Sequence, residues 1–207
     1  MKERPILFSG EMVRAILEGR KTQTRRIPNR QPLDWCTRFE PAPFEGAGKP
    51  GKWLQMTEDA FSIRGWCKCP YGQPGDRLWV RETWAHDDMN CKDVHCGNID
   101  HVWYRALENP IVADSFAGDA HWRPSIFMPR WASWITLEIV NIRVERLQEI
   151  SESNAEAEGV DFIPSAPAAL DHRTAFAGLW NKINAKRGYS WESNPWVWAI
   201  EFKRVEI

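Results

Sequence analysis

The spacing of apolar side chains predicts a run of short elements. Met12, Val13, Ile16 and Leu17 share one face of a helix, with Ser9 placed to cap its start and Gly19 to stop it. The chain from Thr22 to Ile27 reads as extended. Pro74-Gly75-Asp76 is a turn signal, and Arg77 to Trp84 alternates as a strand does. Ile135, Leu137 and Ile139 alternate with Thr136 and Glu138, a half-buried strand that Ile142 and Val144 continue toward Leu147 after an irregularity at Asn141. Ser151 or Ser153 caps a short helix ending at Gly159, and Phe176, Leu179, Trp180 and Ile183 line a helix over 174–184. Asn194-Pro195 then turns into a last strand with Trp196, Trp198, Ile200 and Phe202 on one face.

Two stretches lack any period. Residues 28–75, rich in Pro, Gly and Trp, read as a long irregular insertion, and a second polar one covers about 86–122. Short strands, few helices and strand segments far apart in sequence imply one α+β domain over 1–207, with a compact, curved or barrel-like sheet. Regular strand–helix alternation and phosphate-cradling glycine loops are missing, which argues against a nucleotide-binding α/β fold.

A chain of 207 residues with 43% hydrophobic and 27% charged residues has the composition of a soluble globular domain. Its 13 tryptophans are spread along the chain, and such rings suit core packing and base stacking alike. No apolar run approaches the roughly 20 residues of a membrane helix. The N-terminus lacks a secretory apolar stretch, and five cysteines without one imply a reducing cytoplasm. Charge changes the picture most. The formal net charge is −1, yet Arg20, Lys21, Arg25, Arg26 and Arg30 put five cations between residues 20 and 30. Such a local excess suits an anionic partner, phosphate or nucleic acid above all.

Several segments resemble the ASCH domain family of the PUA-like superfamily, most closely its larger tryptophan-rich phage and prophage members. They are Ile16-Leu-Glu-Gly-Arg-Lys-Thr-Gln-Thr-Arg-Arg26, Pro74-Gly-Asp-Arg-Leu-Trp-Val-Arg-Glu82, Trp122 to Trp131, Ser151 to Val160, and Asn194-Pro-Trp-Val-Trp-Ala-Ile-Glu-Phe202. The resemblance implies a PUA-like mixed β-barrel flanked by short helices, a modified nucleoside or RNA as partner, no membrane and no cofactor. It also implies a reaction. Small bacterial members with a similar basic motif are amidohydrolases that remove the acetyl group of N4-acetylcytidine with a Lys, a Thr and a Glu, which correspond here to Lys21, Thr24 and Glu158. Arg20, Arg26, Arg81, Glu82 and Arg130 are candidates to line the substrate pocket. A non-catalytic RNA-binding or regulatory module is the rival, and a ribonuclease a third reading.

Amide hydrolysis needs a nucleophile, an acceptor for its proton and a means of holding developing charge. Thr24 offers the hydroxyl. Lys21 accepts a proton only when neutral, and bringing its pKa from about 10.4 to about 7 requires roughly 4–5 kcal/mol. Neighbouring arginines and burial push that way, while an ionised Glu158 pushes back. The other division has Glu158 moving protons while a charged Lys21 steadies the oxyanion. Lys21 and Thr24, three positions apart, converge only if Lys21 lies in the turn before the strand. Glu158 carries its own signal, since a carboxylate in the last turn of a helix opposes the helix dipole. Cys67, Cys69, Cys91 and Cys96, with His86, His95 or His101 as substitutes, suggest zinc only weakly, because one and four intervening residues are poor ligand spacings.

Overall fold

The computed structural model describes residues 1–32, 36–41, 52–56, 63–86, 102–107, 122–160 and 171–205. Its centre is a mixed five-stranded sheet. Strand β1 (Glu3–Leu7) lies parallel to β6 (Arg77–Arg81), and β6 is antiparallel to β9 (Thr136–Arg146). β9 pairs antiparallel with β10 (Trp196–Val205), which pairs antiparallel with β2 (Gln23–Arg26). The order β1-β6-β9-β10-β2 leaves β1 and β2 at the two edges, joined in sequence by helix α1 (Gly10–Leu17). The protein is thus α+β. No barrel closes among the described residues.

Period-2 patterning places β10 between two apolar layers. Trp198, Ile200 and Phe202 point into the main core with Phe8, Val13, Ile16, Leu78, Leu137 and Ile139. Val197 faces the other way, against Leu147, Ile150, Phe176 and Trp180. That second layer is supplied by helices α2 (Glu152–Ala157) and α3 (His172–Asn184). Ser9 accepts from the Met12 amide and Ser151 from Asn154, the caps that the sequence suggests, while Asp171, accepting from Thr174, starts the last helix at His172 rather than at 174. The irregularity in β9 is a bulge. Glu201 pairs with Asn141 and Phe202 with Ile139, so Val140 is left over and stands 51% exposed.

Three sequence expectations need correction. The stretch 28–75 is not wholly irregular: β3 (Arg38–Pro41), β4 (Lys52–Met56) and β5 (Ile63–Lys68) form a three-stranded antiparallel sheet. Strands of four to six residues among prolines and glycines are too short to show a period. The strand from Arg77 ends at Arg81, and Trp84 begins a separate one, β7 (Trp84–His86). The 86–122 stretch supplies its partner, β8 (Val102–Tyr104). Residues 87–101 and 108–121, with Cys91, Cys96, His95 and His101, lie outside the described residues.

Candidate functional site

The two edges of the sheet line one cleft of about 370 Å³. β1 contributes Pro5, Ile6 and Leu7, β2 contributes Thr24, Arg25 and Arg26, and α3 closes the far side with Phe176, Trp180 and Asn184. Arg26 spans the gap, its Nη2 donating to the Leu7 carbonyl at 2.6 Å, with its guanidinium 5.1 Å from the Phe8 ring centre. Glu158, Tyr71, Arg81 and Arg187 complete the wall. The cleft therefore gathers four arginines against one carboxylate, with aromatic rings in its lining. That combination suits an anion attached to a flat ring.

At its base is an ion-pair cluster assembled from distant parts of the chain. Lys21 leaves α1 through the turn at Gly19, where φ is +76°, and its amide donates to the Ala15 carbonyl. It sits in the turn before β2, in a single bridge to Glu158, and its bonds run to Glu158 rather than to Thr24. The ammonium is fully enclosed and donates to the Glu158 carbonyl at 2.7 Å and to Glu158 Oε2 at 2.8 Å. Glu158 is the C-cap of α2, so Lys21 brings a cation to the helix end that its carboxylate would otherwise burden. Burial lowers the pKa of Lys21; the charge and hydrogen bond of Glu158 oppose this, while Arg26 and Arg25 add to it.

Sequence reasoning missed Arg25. Its Nη1 donates to Glu158 Oε1 at 3.0 Å, and its Nε and Nη2 donate to Glu145 Oε1 at 2.9 and 2.6 Å. Arg143 extends the cluster from Glu145 to Glu201, and Gln23 links Glu201 to Asn154 on α2. The available signal was parity: alternation turns Arg25 away from Thr24 and Arg26 although all three line the cleft at this edge strand, and a buried cation needs an acid.

Of the predicted residues, Thr24, Arg26, Arg81 and Glu158 line the cleft, and Lys21 stands behind Glu158 rather than in the lining. Thr24 is buried and pairs with Ile200 in the sheet. Three residues are not brought to the cleft. Arg20 pairs with Glu18 and lines a separate hollow with Ser153 and His172. Arg130 pairs with Glu3. Glu82 is buried, accepting from Trp134 Nε1 at 3.1 Å and the Ala106 amide at 3.3 Å, and burial raises its pKa against both bonds. Burial also pushes the thiols of Cys67 and Cys69 up, to about 12 and about 11. Among the described residues no cluster of His, Cys, Asp and Glu is arranged to hold a metal. No family model, curated protein or solved structure matches the chain.

Proposed function

We propose that this chain is a cytoplasmic protein of the ASCH kind, built on a PUA-like scaffold, whose arginine-lined cleft binds a modified nucleoside alone or within RNA. The open sheet, with its edges facing each other across the cleft, is compatible with such a scaffold. The proposed reaction is hydrolysis of the acyl amide of N4-acetylcytidine. The observation that carries it is the buried Lys21–Glu158 ion pair, formed by residues 137 apart in sequence, whose carboxylate lines a cleft that Thr24 also lines.

In this reading the Thr24 hydroxyl adds to the acyl carbonyl and its proton passes to Glu158, the member of the pair that lines the cleft. The carbonyl becomes an oxyanion that the arginines of the cleft stabilise. Collapse expels the exocyclic nitrogen of cytidine with the returned proton, and water then releases acetate from Thr24. Lys21, enclosed behind Glu158, acts as a positioning residue. Its cation holds one carboxylate oxygen while Arg25 holds the other.

Engagement of both Glu158 oxygens also favours a second reading, in which the cluster is purely structural and the cleft binds without turnover. Incubating the protein with N4-acetylcytidine separates the two. Release of cytidine that is lost in Thr24→Ala, with the melting temperature kept, supports the hydrolase. Binding with no cytidine released by the native protein overturns it and leaves the binding module.

A further inference from the structure

Beside the cleft is an exposed apolar strip that the proposed reaction does not use. Phe127 is 65% exposed and Ile126 is 55% exposed, next to Met128, which is fully buried. They form a single 3₁₀ turn (Ser125–Phe127) between Pro124 and Pro129, with the Phe127 amide bonded to the Pro124 carbonyl at 3.0 Å. The turn is tied to the cleft by Arg81. Its Nε donates to the Met128 carbonyl at 2.9 Å and its Nη2 to the Ile126 carbonyl at 2.5 Å, so one guanidinium brackets Phe127. The same guanidinium lies 5.1 Å from the Trp79 ring centre.

A phenyl ring held outward by two flanking prolines, a buried neighbour and a cleft arginine is preorganised for a flat partner. Two adjacent large apolar side chains left exposed on one rigid turn offer such a partner a contact face. Charge selects the occupant. Residues 122–134 contain no acid, and their two cations are already engaged, Arg130 with Glu3 and Arg123 over the Trp84 ring. The strip continues into an arginine-lined cleft through Arg81. An aromatic platform along a cationic groove is how sequence-tolerant single-strand binders hold nucleic acid.

We infer that the nucleoside enters the cleft as part of a single-stranded RNA, and that a neighbouring base stacks on Phe127. This rests on the nucleoside-binding reading above, chooses the strand-borne form of the ligand and adds the residue that holds the neighbouring base. The ring supplies the stacking face, and Arg81 meets the intervening phosphate at the rim.

The test compares two probes by fluorescence anisotropy and competition: free N4-acetylcytidine, and a short oligouridylate carrying one N4-acetylcytidine. Phe127→Ala is expected to weaken the oligonucleotide about tenfold, the worth of one base–aromatic stack, and to leave the nucleoside unchanged. Phe127→Tyr is expected to restore the oligonucleotide affinity. Because Phe127 is exposed, equal melting temperatures will show that the fold is intact. Unchanged oligonucleotide affinity in Phe127→Ala, with the nucleoside still bound, overturns the inference and spares the nucleoside reading. Failure of the native protein to bind either probe overturns both. A change of oligomeric state in Phe127→Ala, without an effect on RNA, assigns the strip to self-association and overturns the inference.

Discussion

At the scale of single residues, the arrangement around Glu158 resolves a conflict written in the sequence. A carboxylate at a helix C-terminus breaks a local rule, and Lys21 repairs it by bonding the last carbonyl and the carboxylate together. Removing one partner of a buried ion pair typically costs about 3–5 kcal/mol, chiefly through the charge left behind. Because Arg25 still holds Glu158, Lys21→Met is expected near the lower end, about 3 kcal/mol, read from the urea midpoint. A loss below about 1 kcal/mol would place the pair among weak surface bridges. Glu82 makes a second residue-scale prediction. Its carboxyl is buried and, among the described residues, accepts from the Trp134 indole and the Ala106 amide and from no cation, and its folded pKa is raised. Between the unfolded value, about 4.3, and that raised value, the unfolded chain gives up a proton that the native protein keeps. Stability therefore falls as pH rises through this window and levels off above it. Denaturation midpoints measured across the window should show that decline in the native protein and lose it in Glu82→Gln. The sequence alone singled out Lys21, Thr24 and Glu158, of which the structure bonds Lys21 to Glu158 and sets Glu158 and Thr24 in one lining. It hid Arg25 as one more cation in a basic run, because its partners Glu145 and Glu158 lie 120 and 133 residues away.

At the scale of elements, punctuation was legible at several caps and left-handed glycines, though the Asp171 cap of α3 was not. Ser9, Ser151 and the glycines at 19 and 159 bound their helices as their chemistry suggests. Yet two such glycines differ in a way no sequence pattern reveals. Gly19 has φ +76° and open space around the position of a Cβ, whereas Gly159 has φ +73° and would set a Cβ 2.7 Å from Lys21 Cβ and 2.9 Å from Ala15 Cβ. Gly19→Ala should therefore cost only the left-handed penalty, about 1–2 kcal/mol. Gly159→Ala should cost at least about 1 kcal/mol more, because α1 and the Lys21 turn must move apart. The cytidine release proposed above should survive in the first variant and drop sharply in the second. Comparable melting temperatures for the two proteins would count against close packing at Gly159. The short strands β3, β4 and β5 escaped the sequence for the complementary reason. Their stability is collective and cross-strand, through pairs such as Trp53 with Cys67, and neither a cap nor a long alternation announces them.

At the scale of the whole molecule, strand order was the least legible feature. β1 pairs in parallel with β6 across more than seventy residues, from Glu3 to Arg77, and nothing in either strand's own alternation names the other. The cleft is a consequence of that order, since it forms where the two edge strands of one sheet face each other. The overall charge is similarly uninformative: a net charge of −1 predicts little affinity for a polyanion. The cleft predicts otherwise. Arg25 is committed to Glu145 and Glu158, which leaves Arg26, Arg81 and Arg187 of the lining to meet phosphates. Three such contacts on a single strand give a slope of about −2 in log affinity against log salt, or about fifteenfold between roughly 50 and 200 mM. Arg187→Ala, in the 3₁₀ turn Ala185–Arg187 that follows α3 and away from the ion-pair cluster, should reduce that slope by about 0.7 without touching the stacking proposed at Phe127. Salt titrations of oligouridylate binding by anisotropy measure both numbers. A slope near zero in the native protein would mean that overall charge, rather than the cleft's local field, governs what this molecule attracts.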